Sequence, residues 1–143
     1  MLEPTVLLVD DEAPFVDTMT KRLTKRKLTV LKSYSGEEAL ETLGQNSTID
    51  VVILDVKMPG MDGIETLKEI RKEFPLVEVI MLTGHATVET SIEGMRLGAF
   101  DYLMKPCDME LLMEKVSVAT RKKRDHDEKI REARVNVILK ARP

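Results

Sequence analysis

Only one cysteine, Cys107, stands in the 143 residues, beside two histidines and no tryptophan. One thiol cannot close an internal disulfide, and no Cys/His cluster offers finger spacing. A disulfide framework and a structural zinc site are therefore excluded, and a reducing cytoplasm is the expected setting. Long hydrophobic runs are also missing: Val6 to Val9, Val51 to Leu54 and Val79 to Leu82 are four residues each, against the roughly 18 needed to cross a bilayer. No membrane span is expected. The first residues reach Val6 without a basic segment or a long apolar one, so no signal peptide is expected and the mature chain should start near Met1. The length leaves no room for a second full domain, while 43% hydrophobic residues suffice for one core.

A large net charge is absent as well, but the overall −3 hides an asymmetry. Residues 1–120 carry 13 basic against 21 acidic side chains, and residues 121–143 carry 9 against 4. Phosphate backbones are drawn to dense Lys/Arg surfaces, so the acidic body argues against a nucleic-acid groove, and nucleic acid is not expected as a partner.

What the sequence does hold is a regular alternation. Short aliphatic runs recur at Thr5 to Val9, Leu28 to Leu31, Val51 to Leu54, Val77 to Leu82 and Tyr102 to Met104. Between them lie stripes at helical spacing: Phe15, Met19 and Leu23; Ile64, Leu67 and Ile70; Val88, Ile92 and Met95. Each stripe is expected to face the sheet. Pro14 suits a first helical turn, Ser35-Gly36-Glu37-Glu38 reads as a capping box, and Asp108 precedes a last helix with apolar positions Leu111, Leu112, Val116 and Ala119. Five βα units of this kind predict an α/β fold, a doubly wound parallel sheet covered on both faces. After Thr120 the run Arg121-Lys122-Lys123-Arg124 opens a nearly all-charged stretch that reads as a solvated helical face. A heptad-like register through Ile130, Ala133 and Val137 is weakened by Lys123 and His126 in its seam.

Doubly wound sheets bind ligands beyond the carboxyl ends of their strands. At those ends stand Asp10 and Asp11, Asp55, Thr83, and Lys105. Three carboxylates brought together repel one another unless a cation sits among them. Mg2+ suits an all-oxygen donor set, whereas zinc would call for His or Cys. Lys105 and Thr83 add a positive charge and a hydrogen-bond donor, which suits a phosphoryl group on a carboxylate. No GxxxxGK[ST] or GxGxxG loop follows the first strand, so nucleotide binding by a P-loop or Rossmann turn has no support.

These residues lie in four motifs: Val6-Leu7-Leu8-Val9-Asp10-Asp11-Glu12, Ile53-Leu54-Asp55-Val56-Lys57-Met58-Pro59-Gly60-Met61-Asp62-Gly63, Met81-Leu82-Thr83-Gly84-His85, and Gly98-Ala99-Phe100-Asp101-Tyr102-Leu103-Met104-Lys105-Pro106. Together they resemble the receiver domain of two-component response regulators, over about residues 4 to 120. The look is nearest to receivers that precede the ATPase module of enhancer-binding transcription activators. The charge run predicts a charged, helical C-terminal extension or linker over 121–143. The resemblance implies a flavodoxin-like strand order 2-1-3-4-5 and a receiver domain over residues 1–120. It implies that Asp55 accepts a phosphoryl group from a histidine kinase or phosphotransfer protein, with Lys105 and Thr83 binding phosphoryl oxygens. The metal ligands would be Asp11, Asp55 and the backbone carbonyl of Lys57, with Asp10 acting mainly through water. Lys57 and His85 would overhang the phosphoryl group, the Lys105-Pro106 bond would be cis, and Thr83 and Tyr102 would form a coupled switch. The chain would act as a cytoplasmic signalling switch rather than an enzyme, with a possible receiver homodimer through residues 88–119. It would be a stand-alone receiver or the N-terminal piece of a longer activator. A Mg2+-dependent phosphohydrolase of haloacid-dehalogenase type is the rival, but that family wants Asp-x-Asp, and Asp55 is followed by Val56-Lys57.

Overall fold

The computed structural model describes residues 3–141. Met1 and Leu2, where the mature chain was expected to start, and Arg142 and Pro143, the end of the expected extension, lie outside the described residues. The elements alternate as β1 (Thr5–Val9), α1 (Ala13–Lys25), β2 (Thr29–Ser33), α2 (Gly36–Gln45), β3 (Val51–Leu54), α3 (Gly63–Glu73), β4 (Glu78–Thr83), α4 (Val88–Arg96), β5 (Asp101–Met104) and α5 (Met109–Lys140). All strand pairs are parallel, in the order β2-β1-β3-β4-β5.

The two-residue period of a strand sorts the core into two layers. Leu7, Val9, Val52, Leu54, Val79 and Met81 point to one face, where α2 and α3 cover them with Ala39, Leu43, Leu67 and Ile70. Val6, Leu8, Val51, Ile53, Ile80 and Leu82 point to the other, under Val16, Met19 and Leu23 of α1 and Leu112, Val116 and Ala119 of α5. Each buried Val, Leu, Ile or Met side chain contributes about 1.5–3 kcal/mol, so both layers are needed to hold the central strands that carry the site.

The α4 stripe is a correction to the sequence reading. Val88, Ile92 and Met95 are 72%, 53% and 47% exposed and face outward. The helix instead lays Thr90, Gly94 and Leu97 toward the sheet, a stripe with the same helical spacing. Its start is set by a capping box in which Thr87 and Thr90 exchange hydrogen bonds, and Gly94 lets it lie over the Tyr102 ring, whose Cδ2 is 3.4 Å from where a Cβ would stand. Leu111, expected in the core of the last helix, is also exposed, while its neighbour Leu112 is fully buried.

The basic run is the second correction. Lys123, read as part of a solvated face, is only 8% exposed. At the end of the sheet opposite the strand carboxyl termini, two acids are buried, Asp50 just before β3 and Glu78 at the start of β4. Asp50 accepts two hydrogen bonds from Arg124 (3.1 and 3.0 Å) and one from the Thr5 amide (2.9 Å), with Lys123 Nζ 3.8 Å away. Lys122 reaches Glu78 at 3.6 Å, and Lys123 also pairs with Asp127 at 2.7 Å. Buried carboxylates persist only when paired, so α5 runs past the sheet and supplies the cations. Beyond this clamp, His126 and the apolar residues Ile130, Val137 and Ile138 lie exposed along the remaining helix. Among the described residues no helix is long and apolar enough to cross a membrane.

Candidate functional site

The strand ends set the site. Asp10 and Asp11 follow β1, Asp55 follows β3, Thr83 ends β4, and Lys105 follows β5. Ladder-type hydrogen bonds hold these backbones in register, from the Asp55 amide to the Val9 carbonyl (3.0 Å) and from the Lys105 amide to the Thr83 carbonyl (2.9 Å). Gly63 opens α3 against the same place. A Cβ there would collide with the Asp55 carbonyl and come within 2.6 Å of Val56 Cα, so this position has no room for a side chain. The Lys105-Pro106 bond is cis.

Asp10, Asp11 and Asp55 each turn a carboxylate oxygen into one space, all within 4.8 Å of one another; Asp10 and Asp55 are buried and Asp11 is exposed. Both Asp10 oxygens are already engaged, Oδ1 by the Glu12 amide (2.9 Å) and Oδ2 by Lys105 Nζ (2.6 Å). Asp55 Oδ1 accepts from the Val56 amide at 2.9 Å. The donor set is all oxygen, without His or Cys, which fits a hard divalent cation and not zinc.

Burial pushes the Asp55 carboxyl above its usual range; a hydrogen bond from Thr83 opposes this, the Asp10 charge adds to it, and Lys105 and the Val56 amide pull the other way. For Lys105, burial works against the charge, but the Asp10 hydrogen bond and the charges of Asp10, Asp55 and Glu12 outweigh it, so the ammonium titrates above its ordinary value. A carboxyl raised on folding binds more protons folded than unfolded, so its contribution to stability is present at low pH and is lost as pH rises through the folded value. Without metal, Asp55→Asn should accordingly raise the melting temperature where the parent carboxyl is ionised and remove part of the decline as pH rises from the ordinary carboxyl range through the folded value. Equal melting curves for the two proteins across that range would show that Asp55 is not held under strain.

Thr83 is fully buried, and its hydroxyl accepts a hydrogen bond from the His85 amide at 3.0 Å. Lys57 and His85 line one cleft of about 400 Å³ with Asp11, Glu12, Met58 and Pro59. The Tyr102 hydroxyl is 2.7 Å from Thr90 Oγ1, inside the α4 capping box. Sequence reading gave no part in the site to Thr90, to Glu12, whose carboxylate lies 3.6 Å from Lys105 Nζ, or to Phe15, placed only in the α1 stripe, whose ring centroid lies 3.9 Å from it. The Thr87-x-x-Thr90 spacing was a usable capping signal; the other two act across 90 or more residues and left none.

The response regulator receiver domain family matches residues 6–117. The chain is 37% identical over 114 residues to the transcriptional regulatory protein ZraR of Salmonella typhimurium, covering 80% of this chain and 26% of that protein. It is also 37% identical over 105 residues to the DNA-binding transcriptional regulator NtrC of Escherichia coli, covering 73% of this chain and 22% of that protein. It thus spans about a quarter of the length of these curated relatives. A solved response regulator receiver domain protein from Clostridium thermocellum superposes with a TM-score of 0.81 at 36% identity, over 85% of this chain and 97% of that one. With the strand order and the strand-end acids in place, these likenesses settle the family: the chain belongs to the receiver domains of two-component response regulators.

Proposed function

We propose that this chain accepts a phosphoryl group on Asp55 from the phosphohistidine of a histidine kinase or a phosphotransfer protein, and that the aspartyl phosphate switches an interaction face. The observation that carries the reading is the buried Asp55 carboxylate gathered with those of Asp10 and Asp11, with Lys105 paired to Asp10 and both Lys105 and Thr83 acting on the Asp55 carboxyl. An Asp55 carboxylate oxygen forms the new bond to phosphorus as the bond from phosphorus to the histidine nitrogen breaks, and the imidazole leaves. Asp11, Asp55 and the Lys57 carbonyl would hold Mg2+, which would supply neutralisation of phosphoryl charge. Asp10, with both oxygens already engaged, acts through water. Lys105 and Thr83 bind phosphoryl oxygens. Phosphoryl transfer asks mainly for positioning and charge neutralisation, which is what this set supplies. The test is incubation with acetyl phosphate: labelling that requires Mg2+ supports the reading, and turnover of a phosphomonoester without a retained label would favour a hydrolase.

The outward α4 stripe, with exposed Met104 on β5 and Leu111 on α5, supports a switchable face over residues 88–119 that binds a partner or a second receiver. The likeness to ZraR and NtrC favours a second statement of the same role, an N-terminal receiver of a longer transcription activator. A cytoplasmic location follows from the role.

Lys57 and His85 line a cleft with Asp11, whose carboxylate gathers with that of Asp55, and the length of Lys57 lets it cover the phosphoryl group against water. Lys57→Ala is expected to change the rate of dephosphorylation several-fold, followed by decay of the labelled mass; an unchanged rate would show that Lys57 points elsewhere.

A further inference from the structure

Lys105 is caged on three sides. Its ammonium lies 2.6 Å from Asp10 Oδ2, 3.6 Å from Glu12 Oε1 and 3.9 Å from the centroid of the Phe15 ring, and its side chain is 16% exposed. An ammonium carries three N–H donors. Asp10 takes one and Glu12 attracts a second, while the negative face of the ring stands where water would otherwise be.

The ring does not owe its place to the lysine. Phe15 lies in the first turn of α1, where Pro14 sits and the Val16 amide bonds to the Glu12 carbonyl at 3.1 Å, and it packs against the core layer under that helix. A long lysine side chain loses considerable rotamer freedom when held in one position. A wall already fixed by packing narrows where the ammonium can go.

We infer that Phe15 is a positioning residue for the phosphoryl transfer: its ring face holds the Lys105 ammonium against Asp10, from where one N–H turns to a phosphoryl oxygen on Asp55. The inference rests on the proposed role of Lys105 as a phosphoryl ligand. Leucine would serve equally well in the apolar stripe of α1, beside Met19 and Leu23. Only an aromatic face attracts the cation, which separates this role from packing.

The test uses the full chain with acetyl phosphate and Mg2+. Phe15→Leu should slow labelling about fivefold, within the range of a cation–π contact, and Phe15→Tyr should stay within about twofold of the parent. In a Lys105→Ala background, Phe15→Leu should have no further effect. Nuclear magnetic resonance gives a readout independent of labelling: the Lys105 methylene protons should carry a ring-current shift that Phe15→Leu removes and Phe15→Tyr keeps. Parent-like labelling by Phe15→Leu, or equal slowing with and without Lys105, would overturn the inference. Parent-like labelling by Lys105→Ala alone would overturn the reading beneath it, and the inference with it.

Discussion

Ending the chain at Thr120 is expected to lower the unfolding free energy by about 3–5 kcal/mol, because it strips the cations from two buried carboxylates. Removing one partner of a buried pair costs about that much, since the remaining charge keeps its desolvation penalty. Asp50 would retain only the Thr5 amide, and Glu78 would lose Lys122. For a chain of this size the melting temperature should fall by roughly 10 °C. Arg124→Ala alone should cost about 1–2 kcal/mol: Arg124 is 42% exposed, so solvent screens part of its interaction, and Lys123 remains near Asp50. Asp50→Asn in the shortened chain should restore part of the loss, because an amide is cheaper to bury than a carboxylate. Thermal and urea unfolding of the three variants read these differences. A shortened chain as stable as the parent would mean that the clamp contributes nothing net.

Replacing Thr83 by alanine is expected to leave phosphorylation of Asp55 possible while uncoupling it from the α4–β5–α5 face. The Tyr102 ring lies beside Gly94 and its hydroxyl holds Thr90 of the capping box. When Thr83 turns its hydroxyl to a phosphoryl oxygen it vacates space, and a close-packed interior links that vacancy to inward movement of the ring. Inward movement would break the bond to Thr90 and loosen the start of α4. Moving a population from about 1:99 to 99:1 requires about 5.5 kcal/mol of differential affinity. On the proposed roles of Thr83 and Lys105, charge-assisted contacts to the phosphoryl group would supply much of it. Phosphorylation of the parent should therefore raise hydrogen exchange at Thr87–Ser91 and change association, and neither should occur in Thr83→Ala. If the variant responds like the parent, the signal leaves the site by another route.

The strands and the strand-end residues were legible because each depends on its neighbours in sequence. Four aliphatic residues in a row read as a strand buried on both faces, and the chemistry of a doubly wound sheet gathers at the residue that follows. The α4 orientation was not legible: Val88-Ile92-Met95 and Thr90-Gly94-Leu97 share one helical spacing, and the choice between them is made by the capping box and by the Tyr102 ring. The clamp was hidden for another reason. Asp50 and Glu78 look like ordinary polar residues at strand starts, and their partners lie on α5, 74 residues beyond Asp50 in the case of Arg124. The cage around Lys105 is of the same kind, built by β5 and α1 from opposite ends of the chain.

Asp55 is proposed as the one acceptor. The parent and Asp55→Asn should be incubated with acetyl phosphate, with and without Mg2+, and weighed intact. The parent should gain the mass of a single phosphoryl group only when Mg2+ is present, and Asp55→Asn, folded by circular dichroism, should gain none. Undiminished labelling of Asp55→Asn would contradict the assignment.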